Sequence, residues 1–204
     1  MQMVGAYSVF ANGGYRISPY FIERIEDQRG NVIGKAQPRA AGHGAERAID
    51  ARNAFLMSSL LQDVVRYGTG ASAMKLGRSD LGGKTGTTND FVDAWFAGFQ
   101  VGLVAVSWIG YDNPRSLGRN ETGGQAALPI WIGYMGQALK GVAEQVLTVP
   151  EGVVSARIDP DTGLRSSDGR LTEFFYHEFL PGEFEAERPA TAERPPDEVR
   201  NQLF

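Results

Sequence analysis

Residues 82–90, Gly-Gly-Lys-Thr-Gly-Thr-Thr-Asn-Asp, gather one ammonium group and three threonine hydroxyls into a stretch interleaved with glycine. Lysine supplies a compact cation with three donors, and each hydroxyl can both donate and accept. Glycine at 83 and 86 lets another molecule approach the backbone closely. Such a stretch can hold a phosphate or a carboxylate. The phosphate loop requires G-x-x-x-x-G-K-[ST] opening a helix. Gly83-Lys84-Thr85 matches its end, but the first glycine would fall on Arg78, and Gly77 is one residue early. The run Phe91-Val92-Asp93-Ala94-Trp95-Phe96-Ala97-Gly98-Phe99, directly after the motif, is β-branched and aromatic, so the motif reads as a strand that turns into a second strand. The phosphate loop is excluded on both counts.

The carboxylate chemistry is that of the K-T-G element of acyl-transferring serine enzymes, which works with S-x-x-K and S-D-N elements. The longer run through Asp90, followed by Asp93-Ala94-Trp95-Phe96-Ala97-Gly98, resembles the transpeptidase domain of bifunctional class A penicillin-binding proteins of the 1A type. "AYSVFANGGYRISPYFIERIEDQRGNVI" is similar to the segment just after the S-x-N element of these proteins, and "GGQAALPIWIGYM" to their closing helix. The resemblance spans about residues 1–175 and weakens after 145.

That resemblance implies an α+β fold: a five-stranded, mostly antiparallel sheet flanked by helices, incomplete here at the N-terminus. It implies D,D-transpeptidation of peptidoglycan stem peptides and acylation by β-lactams. The full protein would add a glycosyltransferase domain and an N-terminal membrane anchor, and would work on the periplasmic side of the inner membrane. Lys84 would assist proton transfer around the nucleophile and attract the substrate carboxylate. Thr85 and Thr87 would offer that carboxylate their hydroxyls, with Thr88 beside them. The Thr87 N–H would complete an oxyanion hole with the N–H of the nucleophile, and Gly86 would leave room for the acyl group. The family's S-x-x-K and S-x-N elements are absent and should precede residue 1, so this chain carries one wall of a site. The alternative is a non-catalytic peptide-binding or structural module that kept the sheet and lost the nucleophile.

Ser72-Ala73-Met74-Lys75 satisfies S-x-x-K. With 11 serines and 4 lysines in 204 residues, about 0.2 such matches arise by chance. Gly68, Gly70 and Gly77 surround it, no apolar helical face carries it, and it lies too close to the K-T-G element, so it is read as a decoy. No cofactor is implied. A calcium loop at Asp159–Gly163 lacks ligands at the required spacing. His43, between two glycines, and His177, among aromatics, have no partner at metal spacing and read as a loop residue and a structural one. A net charge of −4 and a pI near 5.3 give no reason to expect nucleic acid. The absence of cysteine rules out disulfides and leaves the compartment open. No leader pattern opens the chain.

The positioning elements emerge from periodicity. An apolar helical stripe over 1–11 stops at Asn12-Gly13-Gly14. Residues 17–34 suggest a hairpin around Asp27–Asn31, and 34–47 a surface loop. Asp50 caps a predicted helix running to Gly68. Residues 69–83 read as a glycine-punctuated connection into the motif strand. Ala94–Phe99 and Leu103–Ile109 read as two central strands covered on both faces, with Trp95 and Trp108 in the core and Asp93 buried against backbone. A polar loop over 111–124 leads to a helix over 126–139, with Pro129 in its first turn and Trp131 and Tyr134 packed on the sheet. Residues 146–165 suggest a strand pair around a turn at 159–163. The family domain is expected over 1–175 and an acidic, proline-rich, disordered tail over 176–204.

Overall fold

The computed structural model describes residues 1–183. In chain order the elements are α1 (Gln2–Ala11), β1 (Tyr15–Arg16), β2 (Arg24–Glu26), β3 (Val32–Lys35), β4 (Glu46–Arg47), α2 (Ala51–Arg66), β5 (Gly82–Thr87), β6 (Ala94–Gln100), β7 (Leu103–Ile109), α3 (Leu128–Ala138), β8 (Val153–Ile158) and β9 (Leu171–Tyr176). The fold is α+β, with every strand pair between these elements whose direction is defined running antiparallel. Contacts divide the chain after Val154.

In the first unit, β5, β6 and β7 form an antiparallel sheet in that order. Successive side chains alternate between faces. Phe99 and Val104 lie on the face that meets Tyr7, Phe10 and Ala11 of α1 and Leu61 of α2. Phe96 and Ala94 lie on the other, against Leu128, Trp131 and Met135 of α3. The Phe96 and Trp131 rings meet edge to face at 5.0 Å, and Trp131 Nε1 donates to the Ala105 carbonyl at 3.1 Å. Ser58 Oγ of α2 donates to the Phe10 carbonyl at 3.0 Å, tying the two helices of the first face together. β6, the central strand, is almost wholly apolar because both of its faces are covered.

Helix ends obey the expected chemistry. Asp50 Oδ1 accepts from Arg52 N at 2.9 Å and starts α2. The α1 stripe ends at Asn12, whose side chain accepts from Tyr15 N and donates to its carbonyl. Gly14 comes next but one, with φ +104°, where a Cβ would lie 2.4 Å from the Ile49 carbonyl oxygen. The helix start expected at residue 126 is moved slightly: a π-type turn over Gly123–Ala127 leads into α3, with Pro129 near its N-terminus.

Several expectations are corrected. The 34–47 loop contains β4, which pairs with β1 through Tyr15↔Arg47 and Arg16↔Glu46. Two-residue strands joined across about thirty residues leave no local periodicity to read. The 69–83 connection holds a 3₁₀ helix over Ala71–Leu76 that buries Ala73. Ser72 and Lys75, both on this turn, are exposed, unlike a nucleophile and its buried lysine. Trp108 is 46% exposed and Tyr134 54%, because β7 is the outer strand of the sheet among the described residues and α3 covers only part of it. Asp93 is half-buried and accepts from Trp108 Nε1 at 2.9 Å, a side-chain partner in place of backbone.

In the second unit, β8 pairs with β9, so the partner strand is 171–176. The 159–163 turn is present: Asp159 Oδ1 accepts from the amides of Asp161 and Thr162. Beyond it the chain bonds back to β8 without forming a strand: Arg165 bridges to Ile158, and Ser166 N donates to the Arg157 carbonyl. Residues 177–179 form a 3₁₀ turn, and Arg165 Nε donates to the Pro181 carbonyl, so part of the stretch assigned to the tail carries defined contacts. The rest of that expectation lies outside the described residues.

Candidate functional site

The motif residues occupy β5, whose second edge faces away from β6. The register Lys84↔Ala97, Thr85↔Phe96, Gly86↔Trp95, Thr87↔Ala94 holds them in place. Lys84 is exposed and donates to the Thr85 carbonyl at 3.0 Å and Thr85 Oγ1 at 3.2 Å. Among the described residues no carboxylate pairs with it. A cavity of about 280 Å³ opens beside it, lined by Met3 and Tyr7 of α1, Lys84, Thr85 and Gly86 of β5, and Trp95 and Ala97 of β6. Its walls are largely apolar, with one cation and one hydroxyl at the strand edge. Burial pushes the Tyr7 phenol above its ordinary value. A Cβ at Gly86 would approach Trp95 Cβ to 3.2 Å, so glycine here keeps the strand pair close.

The five residues singled out in the sequence are not gathered equally. Lys84, Thr85 and Gly86 line the cavity. Thr87 Oγ1 accepts from Gly123 N at 3.0 Å. Thr88 turns the chain: its Oγ1 accepts from Asp93 N at 2.7 Å and its N–H donates to the Asp93 carbonyl. The same turn places Asp90 and Phe91 at φ 57° and 55°.

Trp95 and Ala97, read from the sequence only as core strand residues, line the cavity, and four further contributors escaped the sequence reading. Met3 and Tyr7 reach the cavity only through packing of α1. Thr69 Oγ1 lies 2.8 Å from Thr85 Oγ1. Gly123 sits so close to the motif that a Cβ would be 2.3 Å from the Trp95 carbonyl oxygen and 2.5 Å from that of Gly86. The last two stand in glycine pairs or triplets, Gly-Thr-Gly and Gly-Gly, and that punctuation was the available signal.

The loop feeding β5 is anchored by Asp80, 3% exposed. Its carboxylate accepts from Arg78 Nε and Nη2 at 2.9 and 2.7 Å, from Gln100 Nε2 at 3.1 Å and from Gln145 N at 3.1 Å. Burial acts to raise its pKa, but the Arg78, Gln145 and Gln100 hydrogen bonds together outweigh it and leave the carboxyl below its ordinary value. Among the described residues no group of His, Cys, Asp or Glu could hold a metal, and no helix is long and apolar enough to cross a membrane.

An edge strand carrying Lys-Thr-Gly-Thr, with helices on both faces of its antiparallel sheet, belongs to the α+β fold of penicillin-binding protein transpeptidase domains. The family model for the penicillin-binding protein transpeptidase domain matches residues 1–126, and the chain belongs to that family. Penicillin-binding protein 1A of Pseudomonas aeruginosa is 43% identical over 220 residues, covering 86% of this chain and 27% of the relative. Penicillin-binding protein 1A of Neisseria gonorrhoeae is 51% identical over 156 residues, covering 76% and 20%. The crystal structure of penicillin-binding protein 1A from Haemophilus influenzae superposes with a TM-score of 0.85 at 35% identity, over 91% of this chain and 33% of that one. The chain thus spans about a quarter of the length of these curated relatives.

Proposed function

We propose that this chain is one wall of a serine D,D-transpeptidase site that cross-links peptidoglycan stem peptides and is acylated by β-lactams. The observation that carries the reading is the Lys84 ammonium, without a carboxylate partner among the described residues, at the mouth of a cavity on an open strand edge. The nucleophilic serine and its lysine come from residues upstream of Met1 in the full-length protein, and the cavity beside Lys84 is where that element seats. The serine oxygen attacks the penultimate D-alanine carbonyl, the peptide bond to the terminal D-alanine breaks, and an acceptor amine or water later releases the ester.

Each residue of this chain has a part. Lys84 attracts the substrate carboxylate and assists proton transfer at the serine. Thr85 and Thr87 donate their hydroxyls to that carboxylate; Thr87 Oγ1 already accepts from Gly123, which leaves its proton free to donate. The Thr87 N–H joins the nucleophile's N–H in stabilising the oxyanion. Gly86 admits the acyl group. Thr88 holds the turn that ends the strand. The same site runs carboxypeptidase chemistry when water is the acceptor. In the full-length protein a glycosyltransferase domain and an N-terminal anchor place the enzyme on the periplasmic side of the inner membrane. The family domain extends over 1–175 and the tail comes after it.

Labelling the full-length protein with penicillin, then mapping the adduct by peptide mass spectrometry, tests the reading. A single adduct on a serine N-terminal to Met1 is expected. A full-length protein that folds and takes no adduct would mark the chain as a peptide-binding or structural module.

A further inference from the structure

We propose that Thr69, in the turn between α2 and the loop feeding β5, is a positioning residue that fixes the direction of the Thr85 hydroxyl and so sets the preference for a ligand carboxylate. The proposal rests on the acyl-transfer reading above. Thr85 Oγ1 has one proton and two acceptor sites. Lys84 Nζ, a donor only, occupies one acceptor site at 3.2 Å. Thr69 Oγ1 lies 2.8 Å away on the same oxygen. With Thr69 donating, both acceptor sites of Thr85 are filled and its proton has one direction left, toward a ligand. A carboxylate can only accept, so it gains from that orientation.

Thr69 is held for this task by its neighbours. The Gly68 and Gly70 amides both donate to the Val64 carbonyl, at 3.1 and 3.0 Å, and Ala71 N donates to Gly68 O. A Cβ at Gly68 would lie 3.0 Å from Val64 Cα and carbonyl oxygen, and one at Gly70 3.2 Å from that oxygen. Two glycines thus let the chain fold back tightly on the end of α2 and leave the Thr69 side chain at the tip. On the far side the Thr69 carbonyl abuts Gly124, and the Thr85 methyl lies beside the same glycine. The hydroxyl pair is therefore set by backbone packing on two sides.

The test uses the full-length protein and compares second-order acylation by a penicillin with acylation by its methyl ester, which lacks the charged acceptor. Thr69→Val keeps the branched shape and removes the donor. It should lower the acid-to-ester preference about three- to tenfold, the factor one hydrogen bond carries. Thr69→Ser should restore it, and Thr69→Ala should reproduce the loss should the valine perturb folding. In a Thr85→Val background, Thr69→Val should leave the preference unchanged. An unaltered ratio in both Thr69→Val and Thr69→Ala, an equal loss on acid and ester, or an effect that persists without the Thr85 hydroxyl would each overturn the proposal. Wild-type protein that is not acylated at all would instead overturn the acyl-transfer reading, and the proposal with it.

Discussion

Replacing Gly123 by alanine should disturb the motif from behind. The added Cβ would lie 2.3 Å from the Trp95 carbonyl oxygen, 2.5 Å from the Gly86 carbonyl oxygen and 3.0 Å from Gly86 N. All three are backbone atoms of paired strands, and none can swing aside as a side-chain tip would. Relief requires a displacement of about 1 Å, borne by the turn over Gly123–Ala127 or by the β5–β6 pair. Overpacking of this kind costs about 1–3 kcal/mol. Movement of the turn also lengthens the 3.0 Å bond from Gly123 N to Thr87 Oγ1, worth about 1 kcal/mol. The sum is about 2–4 kcal/mol, a fall of about 1 M in the urea midpoint of the domain. The assay tracks the fraction of full-length protein still labelled by fluorescent penicillin after equilibration in urea, normalised to each variant's own starting value. Gly133→Ala is the control: on α3, with nothing within 4 Å of its would-be Cβ, it should hold or raise the midpoint. A Gly123→Ala protein as stable and as rapidly labelled as wild type would refute the steric argument and detach Gly123 from the site.

Asp80→Ala removes the carboxylate partner of Arg78 and the acceptor of the Gln100 side-chain and Gln145 main-chain amides; the loss should fall at the low end of about 3–5 kcal/mol, measured by urea unfolding, because Arg78 keeps its bonds to the Val142 and Ala143 carbonyls. The Asp80 carboxyl lies below its ordinary value of 3.8, so its stabilisation is complete above that pH and is lost as pH falls through its lowered folded value. Asp80→Asn should flatten that acid branch of the stability profile, and a parallel profile would remove Asp80 as its source. The isolated 204-residue chain should give an unmodified intact mass after penicillin treatment; a stable adduct on Ser72 would overturn both the decoy assignment and the placement of the nucleophile upstream. The same isolated chain should bind a hydrophobic dye, since Trp108, Ile130 and Tyr134 stand exposed around the outer strand, and a dye-silent cooperative transition would contradict it.

What could be read in the sequence was local. Lys84, Thr85 and Gly86 are contiguous on one strand, so composition and strand propensity together place them at one spot. The Asp50 cap and the Gly13-Gly14 stop likewise act within a few residues. Thr69 meets Thr85 through a fold-back that only packing against α2 defines, and Tyr7 reaches the cavity from a helix far before Lys84 in the chain. The Asp80 clasp joins Gln145 across 65 residues. Strand β1 likewise meets β4 across about thirty, a separation that local pattern does not register. Trp108 departs from the expected core position for a different reason. Alternation shows which face a residue takes, but not whether that part of the face is covered. The Asp93 carboxylate takes its partner, Trp108 Nε1, from strand β7, a pairing that no local pattern shows.

The central claim, that residues 84–87 are a working wall of an acyl-transfer site, is tested most directly by the second-order penicillin acylation rate of full-length Lys84→Arg beside Thr87→Ala. Arginine keeps the charge but is planar, larger and essentially never deprotonated, so it cannot serve as a movable point charge beside the serine. Thr87→Ala removes a hydroxyl and keeps the main-chain donor, whose loss alone would slow reaction about 10²–10³-fold. Lys84→Arg should therefore slow acylation more than Thr87→Ala, with glycosyl transfer unchanged in both; the thermal midpoint should hold in Lys84→Arg and fall slightly in Thr87→Ala, which leaves Gly123 N without its acceptor. Acylation of a normally folded Lys84→Arg protein at the wild-type rate would contradict the account.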